Sequence, residues 1–268
     1  MSELTKRSVT ALVLLFFAIG WMFYLPDDWF AIASSMLGLM ATVELLTMIR
    51  MRKPVPFALS AALVWAILAL TNMLLLAMVV LMLSWTVFLV MFARSGSEHD
   101  LGVDFRNVAY GQWMLVWLLV FVWSLNTVHG QSEGVWFLSG AFLGVWAADI
   151  AAYFVGRALG SHKLAPAISP GKSIEGSIGG LIAGVLISAS FWLYMLEIPL
   201  WMALMLGSIL VVVSIVGDLA ESVLKRVYQV KDSGRMLPGH GGLLDRIDAL
   251  IPALPVVGLL WMGMGVGL

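Results

Sequence analysis

The 268-residue chain contains no cysteine. It therefore has neither a disulfide framework nor a thiolate metal site. Charged side chains are also scarce, because they make up 12% of the sequence, whereas soluble globular domains contain about 25%. The net charge of −1 excludes a basic surface for nucleic acid, so no nucleic-acid partner is expected.

Apolar residues dominate instead, at 61% of the sequence, and the mean hydropathy is +0.98. A transmembrane helix needs about 20 apolar residues to cross a hydrocarbon core about 30 Å thick. Nine such runs are present, at residues 9–25, 29–49, 55–72, 73–93, 112–128, 134–155, 174–194, 198–217 and 251–268. The sequence predicts an all-α integral membrane protein with about nine transmembrane helices.

The basic residues predict the orientation of these helices. If nine helices cross the membrane, all 15 lysines and arginines lie on one side, and the turns on the other side are acidic or neutral. Basic loops are typical of the cytoplasmic side. We therefore expect a cytosolic N-terminus, with the polar segments 156–173 and 218–250 in the cytosol.

The character of the chain changes along its length. Residues 1–111 are mostly uninterrupted apolar helix, and we interpret them as a supporting region that could also admit lipid. Residues 112–268 carry the polar and glycine-rich interruptions, and we interpret them as the working region. Small-residue spacings predict close helix packing, with a homodimer interface as the less favoured alternative; they involve Gly140, Gly144, Gly176, Gly180 and Gly184.

Four aspartates occur in or beside the predicted membrane helices. They are Asp149 in the sixth run, Asp218 at the end of the eighth, and Asp245 and Asp248 before the ninth. A charged side chain at the bilayer centre costs about 2.5–3.5 kcal/mol on insertion scales. We expect the four to converge at the cytosolic face, where their oxygens suit Mg²⁺. The alternative is a set of ion pairs with Lys225, Arg226 and Arg246.

Two further carboxylates have separate interpretations. If the eighth helix continues past the bilayer, Glu221 shares a face with Asp218, Ser222 and Lys225, because these residues follow helical spacing. Glu44 is isolated in the second run. We interpret it as a packing residue or as a partner in a helix–helix hydrogen bond.

Two glycine-containing segments could contact an anion. SPGKSIEG, residues 169–176, places Lys172 and Ser173 at the start of the seventh helix, where free backbone N–H groups favour negative charge. It does not satisfy the P-loop pattern. PGHGG, residues 238–242, predicts a turn whose amides could approach a phosphate with His240 as a donor; an ordinary loop histidine is the alternative.

At these residues the sequence resembles the phosphatidate cytidylyltransferase (CDP-diacylglycerol synthase) family. The stretch SVLKRVYQVKDSGRMLPGHGGLLDRID, residues 222–248, matches the family signature at every specified position. DIAAYFVGRALGSHKLAPAISPGKSIEG, residues 149–176, is also similar, although Gly171 replaces a usual lysine and Ser173 a usual threonine. The specific resemblance covers roughly residues 134–268.

The resemblance implies transfer of the cytidylyl group of CTP to phosphatidic acid, giving CDP-diacylglycerol and pyrophosphate. It implies Mg²⁺ as cofactor, with room for a second metal ion, and a cytosolic active site in a bacterial inner membrane. The expected catalytic residues are Asp218, Lys225, Asp245 and Asp248. The expected metal ligands are Asp149, Asp218, Asp245 and Asp248. The residues expected to bind CTP are Lys172, Ser173, Ser222, Arg226, Lys231, His240, Gly241, Gly242 and Arg246.

Two alternative functions remain open from sequence alone. A related membrane cytidylyltransferase could use another lipid phosphate, because nothing in these motifs recognises acyl chains. An ion-coupled transporter could also carry intramembrane carboxylates. The transporter is disfavoured because the predicted carboxylates cluster at one face and the sequence shows no inverted repeat.

Overall fold

A computed structural model of the chain describes residues 16, 18–52, 54–94, 97–237 and 241–265. Its helices are α1 (Asp27–Met48), α2 (Pro54–Thr71), α3 (Leu74–Phe92), α4 (Glu98–His129), α5 (Gly134–Leu159), α6 (Ile174–Met195), α7 (Leu200–Val227), α8 (Leu244–Ile247) and α9 (Leu250–Gly263). Its strands are β1 (Lys163–Ala165) and β2 (Ser169–Ser173). Residues 18–24 are also helical.

Eight helical segments in the described part of the chain are long and apolar enough to cross a membrane. Seven of them are α1 to α7, and the eighth runs from Leu244 to Gly263 through α8 and α9. They correspond to eight of the nine predicted runs. Residues 9–15 and 17 of the first predicted run, 9–25, lie outside the described residues. The predicted class, an all-α integral membrane protein, is confirmed.

Two helices extend further than their apolar runs. α4 begins at Glu98 rather than near residue 112, and α7 ends at Val227 rather than at 217. At 1.5 Å per residue, the 32 residues of α4 measure about 48 Å, more than the hydrocarbon core of about 30 Å. Hydropathy locates the part of a helix that lipid can surround, and it misses a polar extension of the same helix.

The chain forms two compact units. Unit 1 comprises Met1–Asn126 with Val230–Arg246, and unit 2 comprises Thr127–Gln229 with Ile247–Leu268. In unit 1, α1 packs on α2 and α2 packs on α3. In unit 2, α6 packs between α5 and α7, and α9 packs on α7. These units are defined by packing. The division expected at residue 112, between a supporting and a working region, concerns function and stays a prediction.

Glycines let α5 and α6 approach closely within unit 2. A Cβ atom at Gly180 would lie 2.7 Å from the carbonyl oxygen of Ala148, and one at Gly184 would lie 2.8 Å from the carbonyl oxygen of Gly144. Because these neighbours are backbone atoms, they cannot move aside as a flexible side chain could. The packing role predicted for the small-residue spacing is confirmed within a single chain.

A short antiparallel hairpin joins α5 to α6. Its strands β1 and β2 pair Lys163 with Ser173 and Ala165 with Ser169. Sequence analysis predicted only a polar loop here. α6 begins directly after β2, and the hydroxyl of Ser173 caps it by accepting a hydrogen bond from the Gly176 amide at 3.1 Å. The hairpin therefore fixes Lys172 beside the N-terminus of α6, as the sequence predicted.

Candidate functional site

A cavity of about 530 Å³ lies in unit 2 and is lined by residues of α5, β2, α6 and α7. This volume lies within the range of about 300–1,000 Å³ that is typical of small-molecule sites. Small residues line much of the wall: Ala148, Ala152, Gly156, Gly171, Gly176 and Gly180. Charged and hydroxyl side chains complete it: Asp149, Tyr153, Arg157, Ser169, Lys172, Ser173, Ser177, Ser214 and Asp218.

An ion pair between Lys172 and Asp218 crosses this cavity. The two side chains are 26% and 27% exposed, so both remain within reach of a ligand. The hydroxyl of Ser222, one turn further along α7, is 3.5 Å from Oδ1 of Asp218. The structure thus brings together Lys172, Ser222 and Asp218, three of the site residues predicted from sequence.

The last two turns of α7 carry a second, more buried pair. Lys225 forms an ion pair with Glu221, and their residues are only 8% and 3% exposed. The neighbouring Arg226 donates from Nε to the carbonyl oxygen of Ile168 at 3.1 Å, which ties α7 to the turn between β1 and β2. Because α7 continues to Val227, the condition under which Asp218, Glu221 and Lys225 share a helix face is met.

Asp248 lies at the junction of α8 and α9. Its Oδ1 accepts a hydrogen bond from the Ala249 amide at 2.7 Å. A Cβ atom at Gly217 would lie 2.8 Å from the carbonyl oxygen of Asp248, so the backbone of α7 passes close to this junction. Asp248 also interacts electrostatically with Asp218, Glu221 and Lys225. The junction therefore sets Asp248 facing two other carboxylates.

This arrangement can be tested for its fit to a metal ion. Repulsion between Asp218 and Asp248 is relieved when a cation binds between like charges. Across the described residues, no three His, Cys, Asp or Glu side chains are grouped closely enough to hold an ion by themselves. Mg²⁺ commonly takes one or two carboxylates and completes its shell with water and substrate phosphates. Asp218 and Asp248 fit that pattern, and the convergence of all four aspartates stays a prediction.

Asp245 belongs to unit 1, in the segment 230–246. Its Oδ2 accepts hydrogen bonds from the amides of Ser233 and Gly242, both at 2.9 Å. Gly241 adopts a φ of +82°, which glycine tolerates and most side chains do not. Asp245 therefore closes this segment by satisfying backbone donors, a role that sequence analysis did not foresee.

The remaining predicted residues are placed as follows. Lys231 is exposed in the same segment, and Arg246 lies in α8. His240 lies outside the described residues, as do Pro238 and Gly239. The alternative interpretation paired the four aspartates with Lys225, Arg226 and Arg246. The structure shows two other ion pairs, Lys172 with Asp218 and Lys225 with Glu221.

Glu44 has more hydrogen-bond partners than its sequence context indicates. It is 3% exposed in α1, and its carboxylate accepts hydrogen bonds from the amides of Leu243 at 2.7 Å and Leu244 at 3.2 Å. The hydroxyl of Ser233 also donates to it. A hydrogen-bonding role for Glu44 is confirmed, but its partners were not foreseen, because they lie about 190–200 positions further along the chain.

The model of the cytidylyltransferase family matches residues 5–262 of the chain. The chain belongs to the cytidylyltransferase family. This confirms the family predicted from sequence, and with it the expected class of enzyme, a nucleotidyltransferase. The matched region covers most of both units and includes the residues that line the cavity and every predicted site residue.

Several relatives within the cytidylyltransferase family carry the name phosphatidate cytidylyltransferase. The protein from Staphylococcus saprophyticus is 38% identical over 187 residues, 69% of this chain and 67% of that protein. The protein from Staphylococcus haemolyticus is 44% identical over 135 residues, 50% and 52% of the two chains. The protein from Staphylococcus aureus (strain COL) is 46% identical over 132 residues, 48% and 50%. The chain thus matches about two thirds of the first relative and about half of the other two.

Proposed function

We propose that the protein transfers the cytidylyl group of CTP to phosphatidic acid, giving CDP-diacylglycerol and pyrophosphate. The observation that carries this proposal is the Lys172–Asp218 pair in a cavity built from membrane-crossing helices. Such a cavity offers charged groups for a polar nucleotide and apolar helices for acyl chains. Membership of the cytidylyltransferase family and the name shared by its relatives support the same reaction.

The charges of the cavity suit two polyanionic substrates. CTP and the phosphate of phosphatidic acid repel each other, so a site that brings them together must supply positive charge. Lys172 and Arg157 line the cavity. Arg226 donates a hydrogen bond to the turn between β1 and β2. Asp218 neutralises Lys172 when no phosphate is near, and Lys172 can instead face a phosphate when Asp218 has another cation to bind.

The reaction needs little covalent participation by the protein. An oxygen of the phosphatidic acid phosphate attacks the α-phosphorus of CTP, and a new P–O–P bond forms. The bond from the α-phosphorus to the oxygen bridging to the β-phosphate breaks, and pyrophosphate leaves with that electron pair. A phosphate monoester is already ionised near neutral pH, so no general base is required. The chain's residues therefore act by positioning the substrates and neutralising their charge.

The cation in this proposal is Mg²⁺, held by Asp218 and Asp248. When bound, it neutralises charge on the transferring phosphates and orients them. The role of the protein is to present two carboxylates from α7 and from the α8–α9 junction. A second metal ion with Asp149 or Asp245, and a homodimer, both stay predictions.

We also propose that the site faces the cytosol across a bacterial inner membrane. All 15 lysines and arginines fall on one side of the predicted nine-helix topology, and basic loops favour the cytoplasmic side. CTP is available there. The bacterial relatives support this location.

The position of the label in CTP tests the reaction type. Purified protein in detergent receives phosphatidic acid, Mg²⁺, and CTP labelled either on the α-phosphate or on the γ-phosphate. Cytidylyl transfer moves the α-label into the lipid and releases the γ-label as pyrophosphate. Phosphoryl transfer would place the γ-label in the lipid and would contradict the proposal.

The lipid acceptor is tested in the same assay. Phosphatidic acid is compared with an isoprenoid phosphate at fixed CTP, and diacylglycerol serves as the control because it lacks the attacking phosphate. We expect phosphatidic acid to be the best acceptor and diacylglycerol to give no product. A clear preference for the isoprenoid phosphate would keep the reaction type and overturn the proposed substrate.

A further inference from the structure

A buried carboxylate of a membrane-crossing helix fastens the polar segment 230–246 within unit 1. Glu44 of α1 accepts hydrogen bonds from two consecutive backbone amides, those of Leu243 and Leu244, at 2.7 Å and 3.2 Å. Its third donor is the hydroxyl of Ser233. Because three donors from two places in the segment converge on one buried carboxylate, Glu44 fixes the backbone where α8 begins.

The neighbouring glycines are explained by the same carboxylate. A Cβ atom at Gly234 would lie 2.7 Å from Cδ of Glu44, and a Cβ atom at Gly242 would lie at the same distance from it. Any larger residue at either position would displace the carboxylate from its donors. Sequence analysis assigned Gly242 to close approach of a phosphate, and the structure shows that the space beside it is already taken by Glu44.

Ser233 connects the carboxylate of Glu44 to that of Asp245. The Ser233 hydroxyl lies 3.0 Å from Oδ2 of Asp245 and also contacts the carboxylate of Glu44. The Ser233 amide donates to Oδ2 of Asp245 at 2.9 Å. Ser233 is only 4% exposed, so water cannot readily substitute for these bonds. Ser233 therefore contacts two carboxylates, that of Glu44 from α1 and that of Asp245 from the segment itself.

We propose that Glu44 is a positioning residue for catalysis. It fixes the backbone of residues 242–244 and, through Ser233, the orientation of the Asp245 carboxylate, without contacting either substrate. This inference rests on the proposed function, because the segment it holds carries Lys231 and Asp245 from the predicted site. A misplacement of about 1 Å that starts far from the chemistry can cost about a hundredfold in rate.

Three variants separate positioning from a merely structural role. Glu44→Gln keeps the size of the side chain but replaces one acceptor oxygen with a donor that faces a backbone amide. Ser233→Ala removes the hydroxyl that contacts both carboxylates but keeps the Ser233 amide bond to Asp245. It also keeps Glu44, so it serves if Glu44→Gln fails to fold. Gln112→Met is the matched control. Gln112 is a buried side chain of unit 1, 6% exposed, and it donates to Ser84 Oγ at 2.8 Å, a bond that joins α4 to α3.

The first measurement is tryptic cleavage of the detergent-purified chain without substrate. Lys231 and Arg235 are exposed in the anchored segment, and Lys163 is exposed in unit 2. We expect Glu44→Gln to speed cleavage after Lys231 and Arg235 by about tenfold, because local opening controls such cleavage. Cleavage after Lys163 should stay unchanged, and Gln112→Met should match the wild type at all of these sites.

The second measurement is steady-state kinetics with CTP and phosphatidic acid. Glu44→Gln should lower kcat by about a hundredfold, and Ser233→Ala by about tenfold. The KM for phosphatidic acid should change little in both, since neither residue contacts the lipid. Gln112→Met should keep the wild-type kcat even where it lowers the melting temperature.

The proposal is overturned if the cleavage pattern and kcat of Glu44→Gln match the wild type, whatever its melting temperature. If Glu44→Gln does not fold, a wild-type kcat for Ser233→Ala overturns it. An inactive wild-type chain would instead refute the proposed reaction. In that case the cleavage rates still decide whether Glu44 anchors the segment.

Discussion

Replacing Asp218 by asparagine should abolish activity while changing the stability of the protein little. The substitution keeps the shape of the side chain and removes its negative charge. Lys172 then loses its ion-pair partner, and the proposed cation loses one of its two carboxylates. The expected result is a folded protein that no longer transfers the cytidylyl group.

The structure sets the scale of both effects. Each partner of the Lys172–Asp218 pair is about one-quarter exposed, and ion pairs this accessible contribute about 1 kcal/mol or less. For a chain of this size, such a loss lowers the melting temperature by about 2–4 °C at most. Removing one preorganised charge from an active site lowers kcat by about a hundredfold to a thousandfold. Activity should therefore fall far more than stability.

A matched control is available in unit 1. Asp100 forms an ion pair with Arg52 and is 32% exposed, close to the 27% of Asp218, but it lies outside the cavity. Asp100→Asn should leave turnover within about twofold of the wild type, as expected for a substitution remote from the site. Turnover by Asp218→Asn that matches turnover by Asp100→Asn would remove Asp218 from the catalytic site.

Two further predictions concern packing in unit 2, and thermal denaturation in detergent measures both. Lys225→Met should lower the free energy of unfolding by about 3–5 kcal/mol because it removes the cation from a buried carboxylate; adding Glu221→Gln should recover part of the loss, and no recovery would contradict the ion pair. Gly180→Val should cost about 1–3 kcal/mol or more, since its Cβ would lie 2.7 Å from the Ala148 carbonyl oxygen. Gly171→Val is the control, because nothing lies within 4 Å of a Cβ there, and equal losses would refute the close approach of α5 and α6.

The helices of this protein could be predicted because lipid imposes a simple rule. A segment surrounded by hydrocarbon must be apolar and helical, so hydropathy located eight of the described helices. The polar first half of α4 follows no such rule. Asp104 and Asn107 are buried there at 6% and 4% exposure, and the sequence shows no sign of the neighbours that bury them.

Part of the candidate site was predictable, but its ion pairs were not. Motif and charge predicted that four aspartates, Asp218 and Asp248 among them, converge at the cytosolic face, because helix ends on one side of a membrane share a depth. In the structure Asp218 interacts with Asp248, and the convergence of all four stays a prediction. The pairing of Lys172 with Asp218 depends on the register of β1 and β2, which a three-residue strand does not reveal in sequence. The partners of Glu44 are about 200 positions away, and no local pattern records so distant a contact.

Metal-dependent transfer of cytidine into lipid is the sharpest test of the proposed reaction. Folded, detergent-purified protein receives cytidine-labelled CTP, phosphatidic acid and Mg²⁺, with an EDTA-treated sample as the control. We expect label in the lipid phase that is lost with EDTA and returns with added Mg²⁺. No lipid label from folded protein, with phosphatidic acid and with other lipid phosphates, would contradict it.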